Sequence, residues 1–78
     1  VLTIAGSDCD GSAGLQADMN TFQRCGVYGM SVLTAAVAGN SYGIFASQPM
    51  PTEFIDKQFA VLTEDFQINA CRIITRYF

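Results

Sequence analysis

Residues 1–18, V-L-T-I-A-G-S-D-C-D-G-S-A-G-L-Q-A-D, gather most of the groups that could do chemistry. Gly6, Gly11 and Gly14 are interleaved with the carboxylates Asp8 and Asp10 and the thiol of Cys9. Asp18 follows, one turn into helix-forming sequence. Backbone N–H groups near Gly11 and Gly14, together with a helix N-terminus, can meet an anion or a small polar ligand. The same glycines can equally serve a tight turn and nothing more. Asp18 can compensate the positive end of a helix dipole, or accept a hydrogen bond from a ligand's amino group or hydroxyl. Cys9 is a weaker candidate nucleophile, because Asp8 and Asp10 on either side oppose a thiolate.

Several familiar sites are excluded. The loop is not a nucleoside-triphosphate P-loop, since no Lys follows its last glycine, and the G-x-G pair of the dinucleotide fingerprint is absent. Asp8-Cys9-Asp10-Gly11 lacks the glycine placement and the closing Glu of a calcium loop. With no histidine, His-based triads and most zinc chemistry are out of reach. Three cysteines, Cys9, Cys25 and Cys71, are odd in number and widely spaced, which fits neither a disulfide framework nor a zinc site. The net charge is −3 and the four cations (Arg24, Lys57, Arg72 and Arg76) do not cluster, so no nucleic-acid partner is expected. No apolar run is long enough to span a membrane, no signal peptide is visible, and a reducing cytoplasm is the expected compartment.

The elements that must position these groups can be read from periodicity. Val1–Ala5 is an apolar run of the kind buried on both faces of a parallel sheet. Ser12 is placed to cap a helix on which Leu15, Met19 and Phe22 share a face, and Gly26 to end it. Met30–Ala38 reads as a second buried strand, whose Ala35, Ala36 and Ala38 invite close approach by a helix or a ligand. Gly39 to Gln48 reads as a loop. A second helix starts at Pro51-Thr52, with Glu53 at its positive end, and Ile55, Phe59, Leu62 and Phe66 form a stripe expected to be core. Ile68–Ile74 is a candidate third strand. The order β-α-β-α-β predicts an α/β fold with a mainly parallel sheet, its ligand crevice at the carboxyl ends of the strands. At 78 residues the chain is one small domain, burying only about 60–65% of its unfolded surface.

A-G-S-D-x-x-G-x-A-G-L-Q-A-D, then G-V-Y-G-M-S-V-L-T-A and A-x-N, closely resembles the N-terminal part of the hydroxymethylpyrimidine/phosphomethylpyrimidine kinases. These belong to the ribokinase-like superfamily and are related to pyridoxal kinases. The resemblance covers about residues 1–70 and rests on several rare strings in the right order. It implies a ribokinase-like three-layer fold, and ATP- and Mg²⁺-dependent phosphorylation of hydroxymethylpyrimidine and its monophosphate on the way to thiamine. It also implies three substrate-binding residues. Gly6 matches the pocket glycine at the end of the first strand, Asp18 the aspartate that hydrogen-bonds the pyrimidine, and Val37 the apolar residue that packs on the ring. A neutral aminopyrimidine suits one carboxylate acceptor, one apolar wall and a close backbone.

The departures matter as much. Family members carry Gln where this chain has Gly39, and Pro-Ser where it has Cys9-Asp10. From residue 72 to residue 78 the sequence leaves the family's K-T-G-M-L pattern, with Arg72 in the place of the Lys. The family's ATP site and its G-x-G-D motif, with catalytic base and anion hole, lie in a C-terminal part that residues 1–78 do not contain. Phosphoryl transfer depends on such positioning and charge stabilisation. The chain is therefore expected to be a partial domain, an N-terminal substrate-side fragment, silent in catalysis and holding neither ATP nor Mg²⁺. Such a fragment is expected to self-associate or to need the missing C-terminal half. A non-catalytic pyrimidine- or pyridoxal-binding module and a pyridoxal kinase fragment are the alternatives.

Overall fold

The apolar start of the chain forms a central strand, and everything else is arranged around it. A computed structural model describes residues 1–73. The elements are β1 (Leu2–Asp8), α1 (Gly14–Arg24), β2 (Met30–Asn40), β3 (Gly43–Pro49), α2 (Thr52–Asp65) and β4 (Cys71–Ile73). The four strands make one sheet in the order β3-β2-β1-β4. β1 pairs in parallel with β2, from Leu2 opposite Met30, and with β4, from Leu2 opposite Cys71. Among the described residues the core is small: Leu2, Ala5, Val32, Ala35 and Val37 are the buried apolar ones.

The sheet is mainly parallel, as expected, but β3 departs from the sequence reading. Residues 39–48 are not a loop. β2 continues to Asn40, only Ser41 and Tyr42 turn, and β3 returns antiparallel with Ala35 opposite Pro49 and Asn40 opposite Gly43. The Asn40 side chain accepts a hydrogen bond from the Tyr42 N–H at 2.9 Å, an Asx turn that reverses the chain. The apolar, partly β-branched pair Ile44-Phe45 then suits a strand rather than a loop. The β1–β2 register slips where Ala5-to-Ser7 faces Leu33-to-Ala36, so β2 carries a bulge around Thr34.

α1 ends as its sequence predicts. Gly26 takes φ +72°, its N–H bonds the Gln23 carbonyl at 3.1 Å, and the Val27 N–H bonds the Phe22 carbonyl at 3.1 Å. This is a Schellman cap. Its start differs from the expectation. The N-cap is Ala13, without a side-chain cap bond, because the Ser12 hydroxyl is drawn back to Asp10 at 2.7 Å and Asp8 at 3.3 Å.

The α2 stripe is not the closed core that periodicity suggests. Ile55 and Leu62 are half-buried, Phe59 is 40% exposed and Phe66 is 38% exposed. The cause is that α2 packs chiefly on β2, and none of its residues is fully covered. Phe66 instead stacks on Tyr28, ring centroids 5.9 Å apart. Polar contact anchors the helix. Just beyond the last β2–β3 pair, the Gln58 amide accepts from the Leu33 N–H and donates to the Leu33 carbonyl, both at 2.9 Å. One side chain thus satisfies the two backbone groups that a neighbouring strand would take. Ala36 and Ala38 face outward and are exposed, so only Ala35 meets the close packing expected of all three. The expected strand Ile68–Ile74 begins only at Cys71, as β4, and its last residue Ile74, with residues 75–78 of the divergent tail, lies outside the described residues.

Candidate functional site

The loop between β1 and α1 is held by backbone geometry that only glycine permits. Gly14 has φ +66°, and a Cβ there would lie 2.5 Å from the Gly6 carbonyl oxygen. Its absence lets the first residue of α1 bridge to Ser7 and seats the helix N-terminus against the end of β1. Gln16 fastens the same junction. Its amide oxygen accepts from the Asp8 N–H at 2.9 Å and its NH₂ donates to the Ser7 hydroxyl at 2.6 Å.

Cys9 ties the loop to β2. Its N–H donates to the Val37 carbonyl at 3.3 Å, and its sulfur lies 3.2 Å from the Gly39 carbonyl oxygen and 3.4 Å from the Gly39 nitrogen. Asp10 and Ser12 close the loop tip. The Ser12 N–H reaches Asp10 Oδ1 at 2.9 Å. That backbone hydrogen bond, followed by the Ser12 hydroxyl and the nearby Asp8, holds the Asp10 carboxyl below its ordinary value.

These elements enclose a cavity of about 180 Å³ at the carboxyl ends of β1 and β2. Gly6 and Asp8 come from β1, Ser12, Ala13 and Gly14 from the loop and helix start, Val37, Gly39 and Asn40 from β2, and Gly43 and Ile44 from the hairpin. The crevice therefore lies where the strand–glycine loop–helix order places it. Gly6 and Val37 meet in this cavity. Asp18 is not among the lining residues. It is 5% exposed, and its Oδ2 accepts a 2.6 Å hydrogen bond from the hydroxyl of fully buried Thr3. The sequence does not single out Asn40 or Ile44, because residues 39–48 read as a loop. The N-S-Y-G turn followed by Ile-Phe was the signal for a hairpin.

Gly39 is packed as well as small. A Cβ there would sit 2.9 Å from the Gly43 carbonyl oxygen, so any side chain must push the hairpin outward. The cavity suits a small, largely apolar ring with a few polar edges. None of its lining residues is Lys or Arg, and Asp8 contributes a carboxylate. Among the described residues no helix is long and apolar enough to cross a membrane.

Comparison with known proteins agrees with this architecture. The family model for phosphomethylpyrimidine kinase matches residues 8–73. A hydroxymethylpyrimidine/phosphomethylpyrimidine kinase of Haemophilus influenzae is 51% identical over 73 residues, 94% of this chain and 27% of that protein. The chain thus spans about a quarter of that relative's length. The crystal structure of the Clostridium difficile phosphomethylpyrimidine kinase superposes with a TM-score of 0.88 at 49% identity, covering 92% of this chain and 31% of that one. An ADP complex of Bacillus subtilis pyridoxal kinase gives a TM-score of 0.85 at 41% identity, covering 99% and 30%. Two kinases of related fold thus superpose on nearly all of the four-stranded sheet and its glycine loop, and the chain belongs to the phosphomethylpyrimidine kinase family.

Proposed function

We propose that this chain is the N-terminal, substrate-side part of a hydroxymethylpyrimidine/phosphomethylpyrimidine kinase, a single partial domain. The complete enzyme would use ATP with Mg²⁺ to phosphorylate hydroxymethylpyrimidine and its monophosphate in thiamine biosynthesis. The observation that carries the reading is the meeting of Gly6 and Val37 in one cavity at the carboxyl ends of β1 and β2. There Gly6 supplies a close backbone and Val37 an apolar wall for a flat ring. Asp18 is assigned as the acceptor for the ring's amine by the family match alone, with Thr3 fixing the carboxylate's orientation.

The residues present bind and orient; they do not transfer phosphate. The charge that develops in phosphoryl transfer needs cations or N–H donors around the phosphate. The cavity supplies no cation, so residues 1–78 alone are expected to turn over no ATP. We place the protein in a reducing cytoplasm, which suits three free and exposed cysteines.

Calorimetric titration with hydroxymethylpyrimidine tests the proposal. Saturable binding is expected, lost in Asp18→Asn, a variant that keeps an acceptor oxygen for Thr3. Heat that never saturates in a folded chain would overturn it. A second reading, a pyridoxal kinase fragment, is favoured by the likeness to the Bacillus subtilis pyridoxal kinase. Tighter binding of pyridoxal than of hydroxymethylpyrimidine would select it.

A further inference from the structure

We propose that Asn40 is a specificity-determining residue of the cavity, its side-chain NH₂ donating to an unprotonated ring nitrogen of the bound heteroaromatic ring. The inference rests on the substrate-side reading of the cavity proposed above, and adds the ring atom that is read. Among the lining residues, Asp8, Ser12 and Asn40 carry polar side chains. Asp8, as a carboxylate, can only accept. Ser12 has a single hydroxyl hydrogen, and its oxygen lies 2.7 Å from Asp10 Oδ1 and 3.3 Å from Asp8 Oδ2, so that hydrogen is committed to the loop tip. Asn40 differs from both. The Tyr42 N–H donates to its Oδ1 at 2.9 Å. A backbone N–H needs the oxygen of the amide, so this bond fixes which way the amide is turned. The NH₂ is left with no hydrogen-bond partner among the described residues. It is the uncommitted side-chain donor of the cavity.

A donor selects its acceptor. Val37 and Ile44 supply apolar walls, and Gly6, Gly39 and Gly43 bring no side chain. A flat ring seated there meets Asn40 with its edge. A neutral ring nitrogen carries its lone pair in the ring plane and accepts from the NH₂. A ring C–H, or a protonated ring nitrogen, sets hydrogen against hydrogen and is refused. The ligand class is therefore a neutral nitrogen heteroaromatic. The Asx turn holds the amide before any ligand arrives, so little side-chain freedom is lost on binding. Asn40 is exposed, and water serves its NH₂ in the free chain. The net gain is that of one ordinary hydrogen bond.

The same turn supplies the test. Asn40→Asp keeps an oxygen for the Tyr42 N–H, and so the hairpin, but sets a second oxygen where the NH₂ stood. In calorimetry with hydroxymethylpyrimidine, Asn40→Asp should bind about tenfold or more weakly than the wild-type chain. With the benzene analogue, in which both ring nitrogens are replaced by C–H, the two proteins should be indistinguishable. Equal affinity of the two for hydroxymethylpyrimidine means that Asn40 only makes the turn; it overturns this inference and leaves the substrate-side reading standing. A gap of the same size with the benzene analogue overturns it too. Absence of saturable binding by the folded wild-type chain overturns both. If circular dichroism shows Asn40→Asp unfolded, NMR of the wild type decides. The Asn40 side-chain NH₂ signals should move downfield at saturation with hydroxymethylpyrimidine and stay in place with the benzene analogue. Signals that hydroxymethylpyrimidine leaves unmoved, or that both compounds move equally, overturn the inference.

Discussion

The carbonyl oxygen of Gly6 occupies the space that a Cβ on Gly14 would need, 2.5 Å from it. The contact joins β1 to the start of α1, and both glycines line the cavity. Gly14→Ala meets two penalties, a left-handed φ of +66° and a collision with backbone that cannot swing aside. The conformational part alone is about 1–3 kcal/mol. Urea denaturation should show a loss at least that large, with ligand binding reduced in whatever fraction still folds. Gly11→Ala is the comparison. Its φ of +78° is just as unfavourable, but nothing lies within 4 Å of its Cβ, so the smaller loss should isolate the steric part.

Thr3 and Asp18 form a buried pair, and the pair should behave as a unit. Thr3→Val removes the hydroxyl donor and Asp18→Ala the acceptor, each from a site closed to water. Each single change should cost about 1–3 kcal/mol. The double variant should cost less than the sum, since the second change then deletes a group that has already lost this partner. Chemical denaturation of the four-member cycle measures the coupling. Strict additivity would mean that the 2.6 Å contact contributes nothing.

Gln58 gives a third prediction. Its amide takes both backbone groups of Leu33 where β3 no longer runs beside β2. Gln58→Leu keeps the helix propensity and the side-chain bulk but leaves both groups without this partner. The expected cost is about 1–3 kcal/mol per group that water does not rescue. Hydrogen exchange should speed up at the Leu33 amide before the β1–β2 ladder is affected. Gln58→Glu, which can accept but not donate while ionised, should fall between the two.

What was legible in the sequence was whatever local pattern decides. The β1 run, the Gly26 cap and the strand–loop–helix order around Gly6 and Gly14 follow from propensity and φ alone. The hairpin was hidden because Gly39, Asn40, Ser41 and Gly43 are turn formers spread over five positions, and only two residues turn. The α2 stripe misled for another reason. A 3.6-residue period shows that a helix has an apolar face, not that anything covers it, and this chain leaves Phe59 and Phe66 half in water. Asp18 is the reverse case. Its spacing and charge pointed to a helix dipole or a ligand, and nothing local could show that Thr3, fifteen residues earlier, would receive it. Gly6 and Val37 were named through the family match, and a parallel register placing Asp8 opposite Val37 brings them to one cavity.

The last prediction concerns pH and begins at Asp10. Its carboxyl titrates below 3.8, first because the Ser12 N–H donates to it, then because the Ser12 hydroxyl does, with Asp8 contributing least. A carboxyl whose value is lowered on folding favours the folded state while it is ionised. That contribution is complete above the unfolded value and disappears as pH falls through the lower, folded one. It is small, because Asp10 is exposed and water screens it. Direct titration of the Asp10 side chain by NMR is therefore the proper readout. Ser12→Ala deletes the hydroxyl and spares the N–H, so Asp10 should move only part of the way back to 3.8. Ser12→Pro deletes both donors and should move it further. Equal shifts in the two variants would mean that the hydroxyl, and not the backbone N–H, is the main hold on the loop tip.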